Sequence, residues 1–384
     1  MFQQLKNIYH LFQAVIANVI YGFPSRKIKV IGVSGTDGKT TTTHLIAHIL
    51  QSANKKVSFI SSVYAQIGNE KYDIGFHVTT PSPFAIQRYL RQAVENGDEF
   101  FILETTSHAL NQNRVWGVQY EYGILTNVSH EHLDYHRIYY RYVKTKETLL
   151  VLAKKAVLNK ADESYRFLSG KTKRKSIDYG ANLKRISTQF KDVAEYNRYN
   201  YAAAYTVCRA VGLTDKDIFG SMTKFILPKG RFELIYDKNF KVIIDFAHTP
   251  NAFLNLLPSI RKKYLKNKGR LIHIFGSAGL RDRTKRPLMG KASSRFSDYI
   301  ILTEEDYRTE DPNLICQQIS SGILKNKPFE VIIDRERAIR KGLSIAKKED
   351  IVVVTGKSHE KSICRGHTEF PWNENEAISK ALSL

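Results

Sequence analysis

With 384 residues, 42% of them hydrophobic, the chain is too apolar for an intrinsically disordered protein and long enough for two or three domains of roughly 100–200 residues each. A formal net charge of +22 suits anionic partners, but the excess is scattered through runs such as Lys171-Thr172-Lys173-Arg174-Lys175 and Arg261-Lys262-Lys263, with no aromatic-interleaved basic stripe, so solvated lysine-rich faces account for it and no nucleic acid is expected. The three cysteines, Cys208, Cys316 and Cys364, are far apart, odd in number and free of any CxxC pair, which speaks against a zinc site or a disulfide framework and for a reducing, cytoplasmic compartment.

Leu5, Ile8, Tyr9, Phe12, Val15, Ile16, Val19 and Ile20 recur at helical spacing and predict an amphipathic helix within residues 1–27. Gln13 and Asn18 interrupt the run, which is too short and too polar for a transmembrane span, and no small-residue cleavage site marks a signal peptide. Two placements stay open: packed on the following domain, or lying on a membrane surface with help from the positive charge. Residues 28–31 then read as a strand running into Gly32-Val33-Ser34-Gly35-Thr36-Asp37-Gly38-Lys39-Thr40-Thr41-Thr42, after which Leu45, Ile46, Ile49 and Leu50 follow a helical pattern. Strand, glycine loop and helix form the setting of a phosphate-binding loop. Backbone N–H groups and the helix N-terminus face phosphate oxygens, Lys39 reaches the β- and γ-phosphates, and the hydroxyl of Thr40 or Thr41 ligates Mg²⁺. Gly32 lies one residue further from Gly38 than G-x-x-x-x-G-K-[ST] asks, so a chance glycine turn is the competing reading.

Residues 57–60 read as a second strand, 64–74 as a hairpin around Gly68-Asn69, and 77–81 as a loop closed by Pro81. An amphipathic helix over 84–94 precedes a buried-type strand over 100–103, which ends in Glu104-Thr105-Thr106-Ser107-His108. Ligands of open α/β sheets sit beyond the carboxyl ends of strands, so Glu104 is placed to serve a metal bound to nucleotide phosphates; a solvated carboxylate is the bland alternative. The strand over 122–125 leads into His130-Glu131-His132-Leu133-Asp134-Tyr135-His136. That spacing is wrong for a zinc-binding HExxH helix and suits a nucleotide-linked Mg²⁺ site or a solvated polar loop. Tyr142-Val143-Lys144-Thr145-Lys146 follows on a helix.

At this point an ordered series of motifs resembles the Mur ligase family, the ATP-dependent amide-bond ligases of peptidoglycan synthesis, and within it the type that adds the third amino acid to UDP-N-acetylmuramoyl-dipeptide. The series runs from Gly35-Thr36-Asp37-Gly38-Lys39-Thr40 through Thr79-Thr80-Pro81, Glu104, Ser107 to Arg114 and His132 to His136. It continues with Gly230-Arg231-Phe232-Glu233, Asp245 to Pro250, Arg281-Asp282, Lys285-Arg286-Pro287 and Gly356-Lys357-Ser358-His359-Glu360. The resemblance implies that Gly35, Thr36, Asp37, Gly38, Lys39, Thr40 and Thr41 bind ATP, joined by Asn200 near the adenine and by Arg231. It implies Thr40, Glu104, His132 and Lys146 at two Mg²⁺ ions, Lys146 as a carbamate with Lys144 its rival, and Lys39, Lys146 and His248 as catalytic groups. Thr79, Thr80, Ser107 and Arg114 would hold the muramoyl-peptide, and Arg308, Gly356 and Glu360 the incoming amino acid. Asp37 stands where the family usually has asparagine.

The second half carries further strands near 242–245, 270–275, 298–302 and 351–354 with helices between them. The expected fold is therefore α/β: the segment 1–27, a P-loop central ATPase domain with a mostly parallel sheet over 28–228, and a Rossmann-like α/β domain over 229–384. Gly276-Ser277-Ala278-Gly279 lacks a dinucleotide fingerprint, which disfavours a dehydrogenase. In Glu305-Asp306-Tyr307-Arg308, Arg308 matches the arginine of the family's Asp-Asn-Pro-Arg motif and favours meso-diaminopimelate over L-lysine, because a guanidinium pairs bidentately with a distal carboxylate. Family members of this type also have an N-terminal UDP-binding domain; with only residues 1–27 before the first strand, the nucleotide end of the substrate is expected to be held otherwise, or the substrate to differ. A monomer is expected. The rival functions are a folylpolyglutamate-type ligase and, from another class, a P-loop ATPase or nucleic-acid-binding module.

Overall fold

The computed structural model describes residues 2–75, 78–129, 138–265 and 269–383, with side chains from Leu5 onward. The described chain divides into two compact units, one ending at Pro228 and the other starting at Lys229.

The first unit is built on β1 (Lys29–Ser34), β2 (Val57–Ile60), β3 (Ala65–Ile67), β4 (Glu70–Tyr72), β5 (Phe100–Glu104), β6 (Tyr120–Leu125), β7 (Lys155–Leu158) and β8 (Ser176–Asp178). They form one sheet in the order β4-β3-β2-β5-β1-β6-β7-β8, parallel from β2 to β8, with the β3–β4 hairpin antiparallel at one edge. Central strands such as β5 are buried along their whole length, which is why they read as continuous apolar runs rather than alternating ones. Alternation sorts their side chains between two cores: Ile31, Val33 and Ile102 pack with Leu45, Tyr201 and Val207 on one face, while Val30, Phe101 and Leu103 pack with Ile86, Leu90 and Leu149 on the other. The chain leaves β1 past β5 to β2 and later enters β6 on the opposite flank of β1, so the crevice at the carboxyl end of β1 is a topological switch point.

The predicted N-terminal helix forms over Phe2–Ile20 and packs against the helix Pro83–Glu95. Its inward face is not the large apolar stripe. Ala14, Ala17 and Asn18 are fully buried, and the Asn18 Nδ2 donates to the carbonyls of Ala14 and Trp116 at 2.8 and 2.9 Å. Close approach selects these small residues: a Cβ on Gly117 would fall 2.5 Å from the Asn18 side chain. Among the described residues no helix is long and apolar enough to cross a membrane.

The second unit contains β9 (Glu233–Asp237), β10 (Lys241–Asp245), β11 (Leu271–Phe275), β12 (Tyr299–Leu302), β13 (Phe329–Val331) and β14 (Ile351–Thr355) in the order β13-β12-β11-β14-β10-β9, with β9 antiparallel at the edge, plus the hairpin β15 (Ser362–Arg365) and β16 (Thr368–Pro371). Apolar clusters around Phe253 and Phe275 on one side and Ile274, Ile339 and Val352 on the other cover the sheet. Two polar arrangements are also fully buried. Arg335 donates to Glu374, and His273 lies between the Ser293 and Thr355 hydroxyls at 2.8 and 3.1 Å. Each group has its partner, as burial of polar atoms requires.

Candidate functional site

In the first unit the functional side chains gather at the carboxyl ends of β1, β5 and β6. The loop after β1 is shaped by two glycines in the left-handed region. Gly35 (φ 154°) passes so close to β6 that a Cβ would lie 1.8 Å from the Thr126 hydroxyl, and Gly38 (φ 81°) lies where a Cβ would be 2.1 Å from the Asn200 Oδ1. Gly38 caps the helix Lys39–Ser52, so the free N–H groups of that helix open at the loop. The Asp37 N–H donates to the Asn127 Oδ1 at 3.0 Å, and the Thr126 hydroxyl donates to the Asp37 carbonyl at 2.6 Å, pinning the loop to β6. Lys39 folds over it, its Nζ donating to the carbonyls of Gly35 and Thr36 at 3.1 and 2.7 Å. The Thr36 hydroxyl accepts from the Ser129 N–H at 3.0 Å, and Thr41 is buried behind the loop.

Glu104, at the end of β5, is 1% exposed. Its carboxylate accepts from the Thr40 hydroxyl at 3.0 Å and from the Ser62 N–H at 2.9 Å, and the Thr40 and Ser62 hydroxyls are 2.8 Å apart. A carboxylate and two hydroxyls gathered around one point are hard oxygen donors, the set Mg²⁺ selects. Lys146, on the helix Tyr139–Leu152, is 1% exposed; its Nζ donates to the Gly35 carbonyl at 2.6 Å and lies 4.6 Å from the centre of the Tyr142 ring. Lys144 faces away, ion-paired with Glu147 at 2.8 Å. His132 lies outside the described residues.

Next to this cluster, the Thr80 hydroxyl donates to the Glu104 carbonyl at 3.0 Å and accepts from the Thr106 N–H at 3.0 Å. Arg114 donates from Nη1 to the Thr80 carbonyl at 3.1 Å and from Nε to the Gln112 Oε1 at 2.9 Å. Thr79 is half-buried beside it, and Ser107 is buried at the start of the helix Ser107–Asn111. Thr79, Thr80, Ser107 and Glu104 thus form one group, because they hang from the end of β5 or the loop before the helix Pro83–Glu95, and Arg114, which follows the helix Ser107–Asn111, joins it through the Thr80 carbonyl. Asn200 is set among Gly38, Thr42 and Asn197, donating to the Asn197 Oδ1 at 2.8 Å.

The second unit holds its own cluster at the carboxyl ends of β10 and β14. Asp245 accepts from the N–H groups of Phe232 and Ala247, both at 2.7 Å. Burial pushes its carboxyl above the usual range, against the pull of Arg231. Arg231 lies over the Phe246 ring, 4.8 Å from its centre, and within 3.4 Å of the His359 Nδ1. The His248 Nδ1 is 2.7 Å from the Phe246 carbonyl, and the Lys285 Nζ donates to the His248 carbonyl at 2.9 Å. Lys357, completely buried, pairs with Asp306 at 2.8 Å and with Glu360; burial opposes its charge, but the two carboxylates outweigh burial and hold its pKa above the usual range. The Glu360 carboxylate therefore already holds an ammonium group of this chain. Arg308 adopts φ 52°, held by its N–H to the Cys364 carbonyl at 3.1 Å, and its Nη1 donates to the Gly279 carbonyl at 2.8 Å.

Four contributors were not singled out by sequence reading. Ser62, Thr126 and Asn127 all follow strand ends, where the strand-end rule that picked out Glu104 would also have found them. Glu305 lies three residues past the end of β12, within reach of the same rule. It is buried, its Oε2 has no hydrogen-bond partner among the described residues, and a Cβ on Gly356 (φ 106°) would fall 2.8 Å from that oxygen.

Residues 33–208 match the Mur ligase middle domain and residues 230–358 the Mur ligase glutamate ligase domain. The chain is 34% identical to the UDP-N-acetylmuramoyl-L-alanyl-D-glutamate–2,6-diaminopimelate ligase of Clostridium botulinum, over 96% of this chain and 81% of the relative, and 36% identical to the protein of the same name from Aquifex aeolicus, over 95% and 80%. A solved structure of a ligase of that name aligns with a TM-score of 0.59 at 26% identity, covering 93% of this chain and 78% of the other. Escherichia coli FolC in complex with DHPP and ADP shares the fold, with a TM-score of 0.71 at 18% identity, covering 91% and 90%. With both domain models matched in order and a third of the residues shared along four-fifths of its relatives' length, the chain belongs to the Mur ligase family.

Proposed function

We propose that the protein is an ATP-dependent ligase of peptidoglycan precursor synthesis that joins an amino acid, meso-diaminopimelate, to UDP-N-acetylmuramoyl-L-alanyl-D-glutamate. The observation that carries the reading is the convergence, at one switch point, of a glycine-shaped loop with Lys39, a buried Glu104–Thr40 pair and the Thr80–Arg114 group. Those are the parts needed to bring the terminal phosphoryl group of ATP up to a peptide carboxylate. Helix N–H groups and Lys39 offset phosphate charge, and Arg114 and Ser107 orient the peptide. Phosphoryl transfer to the carboxylate releases ADP; the amine of the amino acid then attacks the acyl phosphate, loses a proton and expels phosphate. Thr40 and Glu104, with Lys146 as its carbamate, would hold Mg²⁺, which when bound lowers the charge on the transferred group. In the first unit the loop and Asn200 are the ATP side of the proposal; in the second, Arg231 is proposed as an ATP-binding group. His248, Arg308, Gly356 and Glu360 are its amino-acid side, to which the buried, underused carboxylate of Glu305 adds an acceptor for an ammonium group.

The test is phosphate release by the purified protein with ATP, the UDP-muramoyl-dipeptide and a panel of amino acids. Release requiring all three, highest with diaminopimelate, is the expected result. Release indifferent to the amino acid overturns the ligase reading, and a preference for lysine overturns the diaminopimelate assignment alone.

A further inference from the structure

The N-terminal helix is built inside out. Plotted at 100° per residue, Leu5, Ile8, Tyr9, Phe12, Ile16, Val19 and Ile20 fall on one stripe, while Ala14, Ala17 and Asn18 fall on the other side with Leu11 and Val15, which are partly buried. A helix that docks on a domain normally turns its large apolar side chains inward. Here Ala14, Ala17 and Asn18 face the domain at 0% exposure, while Leu5, Ile8, Tyr9, Phe12, Val19 and Ile20 stand between 58% and 64% exposed. The stripe is continuous over the helix, and half-exposed Trp116 adjoins its anchored end, where its carbonyl is held by Asn18. Scattered surface hydrophobes need no explanation, but an uninterrupted apolar helix face does.

Charge selects the occupant. No acidic residue precedes Asp37 in the sequence, whereas Lys6, Arg26, Lys27 and Lys29 are all exposed around the helix and the segment after it. The whole chain carries +22, so two copies brought face to face would repel each other, while an anionic surface would attract this end. An apolar face with Tyr, Phe and Trp beside it, rimmed by lysine and arginine, matches the interface of a bilayer with anionic headgroups. We propose that the Phe2–Ile20 helix lies in the surface of an anionic phospholipid membrane, its Leu5–Ile8–Phe12 stripe in the acyl boundary and Lys6, Arg26, Lys27 and Lys29 at the headgroups, tethering the first unit peripherally. The proposal is independent of the ligase assignment.

The experiment is sedimentation of the full chain with vesicles of phosphatidylcholine and phosphatidylglycerol in equal amounts, and with phosphatidylcholine alone, for the wild type and for Ile8→Gln/Phe12→Gln. The wild type should pellet with anionic vesicles, more weakly as salt is raised, and weakly with neutral ones; the double variant should lose at least about tenfold in partitioning. Both altered side chains are exposed, so its melting temperature in lipid-free buffer should match the wild type. As a second readout, Ile8→Trp should shift its emission to the blue on anionic vesicles only. Failure to bind anionic vesicles, equal binding to neutral ones, or equal binding by the double variant overturns the assignment. So does a lipid-free dimer that the double variant dissolves, which would make the stripe a contact between copies.

Discussion

Gly38→Ala is the sharpest probe of the loop geometry. At φ 81° an alanine pays for the left-handed conformation about 1–2 kcal/mol. Its Cβ would also lie 2.1 Å from the Asn200 Oδ1, so the amide must move, giving up its 2.8 Å hydrogen bond to Asn197 at a further cost of about 1 kcal/mol. The combined loss, about 2–3 kcal/mol, corresponds to about 30- to 150-fold and is shared between folding and nucleotide binding, according to whether the loop stays strained or relaxes away from its ATP-competent form. Urea unfolding and titration with a fluorescent ATP analogue measure the two shares, and their sum is the quantity to compare. Asn200→Ala removes the same hydrogen bond, so in the Gly38→Ala background it should cost about 1 kcal/mol less than it does in the wild type, leaving the backbone cost in place. A Gly38→Ala protein with wild-type stability and ATP affinity would refute this account of the loop; full recovery in the double variant would refute the backbone part.

Glu104→Gln replaces a carboxylate that accepts from both Thr40 and Ser62 with an amide that can accept on one side only. Phosphate release should fall by at least about a hundredfold, with a raised Mg²⁺ requirement in a titration; near-normal turnover would remove Glu104 from the site. Lys146→Ala should abolish activity to a similar extent, whereas Lys144→Ala, which breaks only a partly exposed pair with Glu147, should leave turnover within about twofold; the opposite ranking in steady-state assays would exchange their roles. Burial, with a smaller contribution from Arg335, lowers the pKa of His273 from 6.5 to about 3. The unfolded chain therefore takes up this proton first: the stabilisation is whole above pH 6.5 and is lost as pH falls toward the folded value. Between pH 7 and pH 5 the loss amounts to about 2 kcal/mol. Urea midpoints at the two pH values should show it, and His273→Gln should flatten the difference by that amount; an unchanged pH dependence in the variant would count against a neutral buried imidazole.

The phosphate loop was legible because its chemistry is local. Glycines that need positive φ, a lysine and a hydroxyl fall within one turn, and the strand before and the helix after are signalled by their own periodicities. Glu104 was legible by the strand-end rule. The short edge strands β8 and β13, three residues each, were not, because so few residues carry no period and their pairing is supplied by neighbours distant in sequence. The choice between Lys144 and Lys146, two residues apart on one helix, could not be made from periodicity; it depends on which side of that helix β1 delivers Gly35.

The sequence by itself determined the type of each major element, the order of the motifs and the family, because those rest on side-chain period, backbone needs of glycine and residue spacing. Tertiary structure alone decided what each polar group meets. It set Asn200 against Gly38, paired Lys357 with Asp306 and Glu360, and left one Glu305 oxygen buried without a donor among the described residues. It also turned the N-terminal helix so that Ala14, Ala17 and Asn18 are fully buried while Leu5, Ile8, Tyr9, Phe12, Val19 and Ile20 face outward. A periodic stripe states that a helix has two faces; which face is covered depends on the shape of the surface it meets, here a close approach in which a Cβ on Gly117 would fall 2.5 Å from the Asn18 side chain.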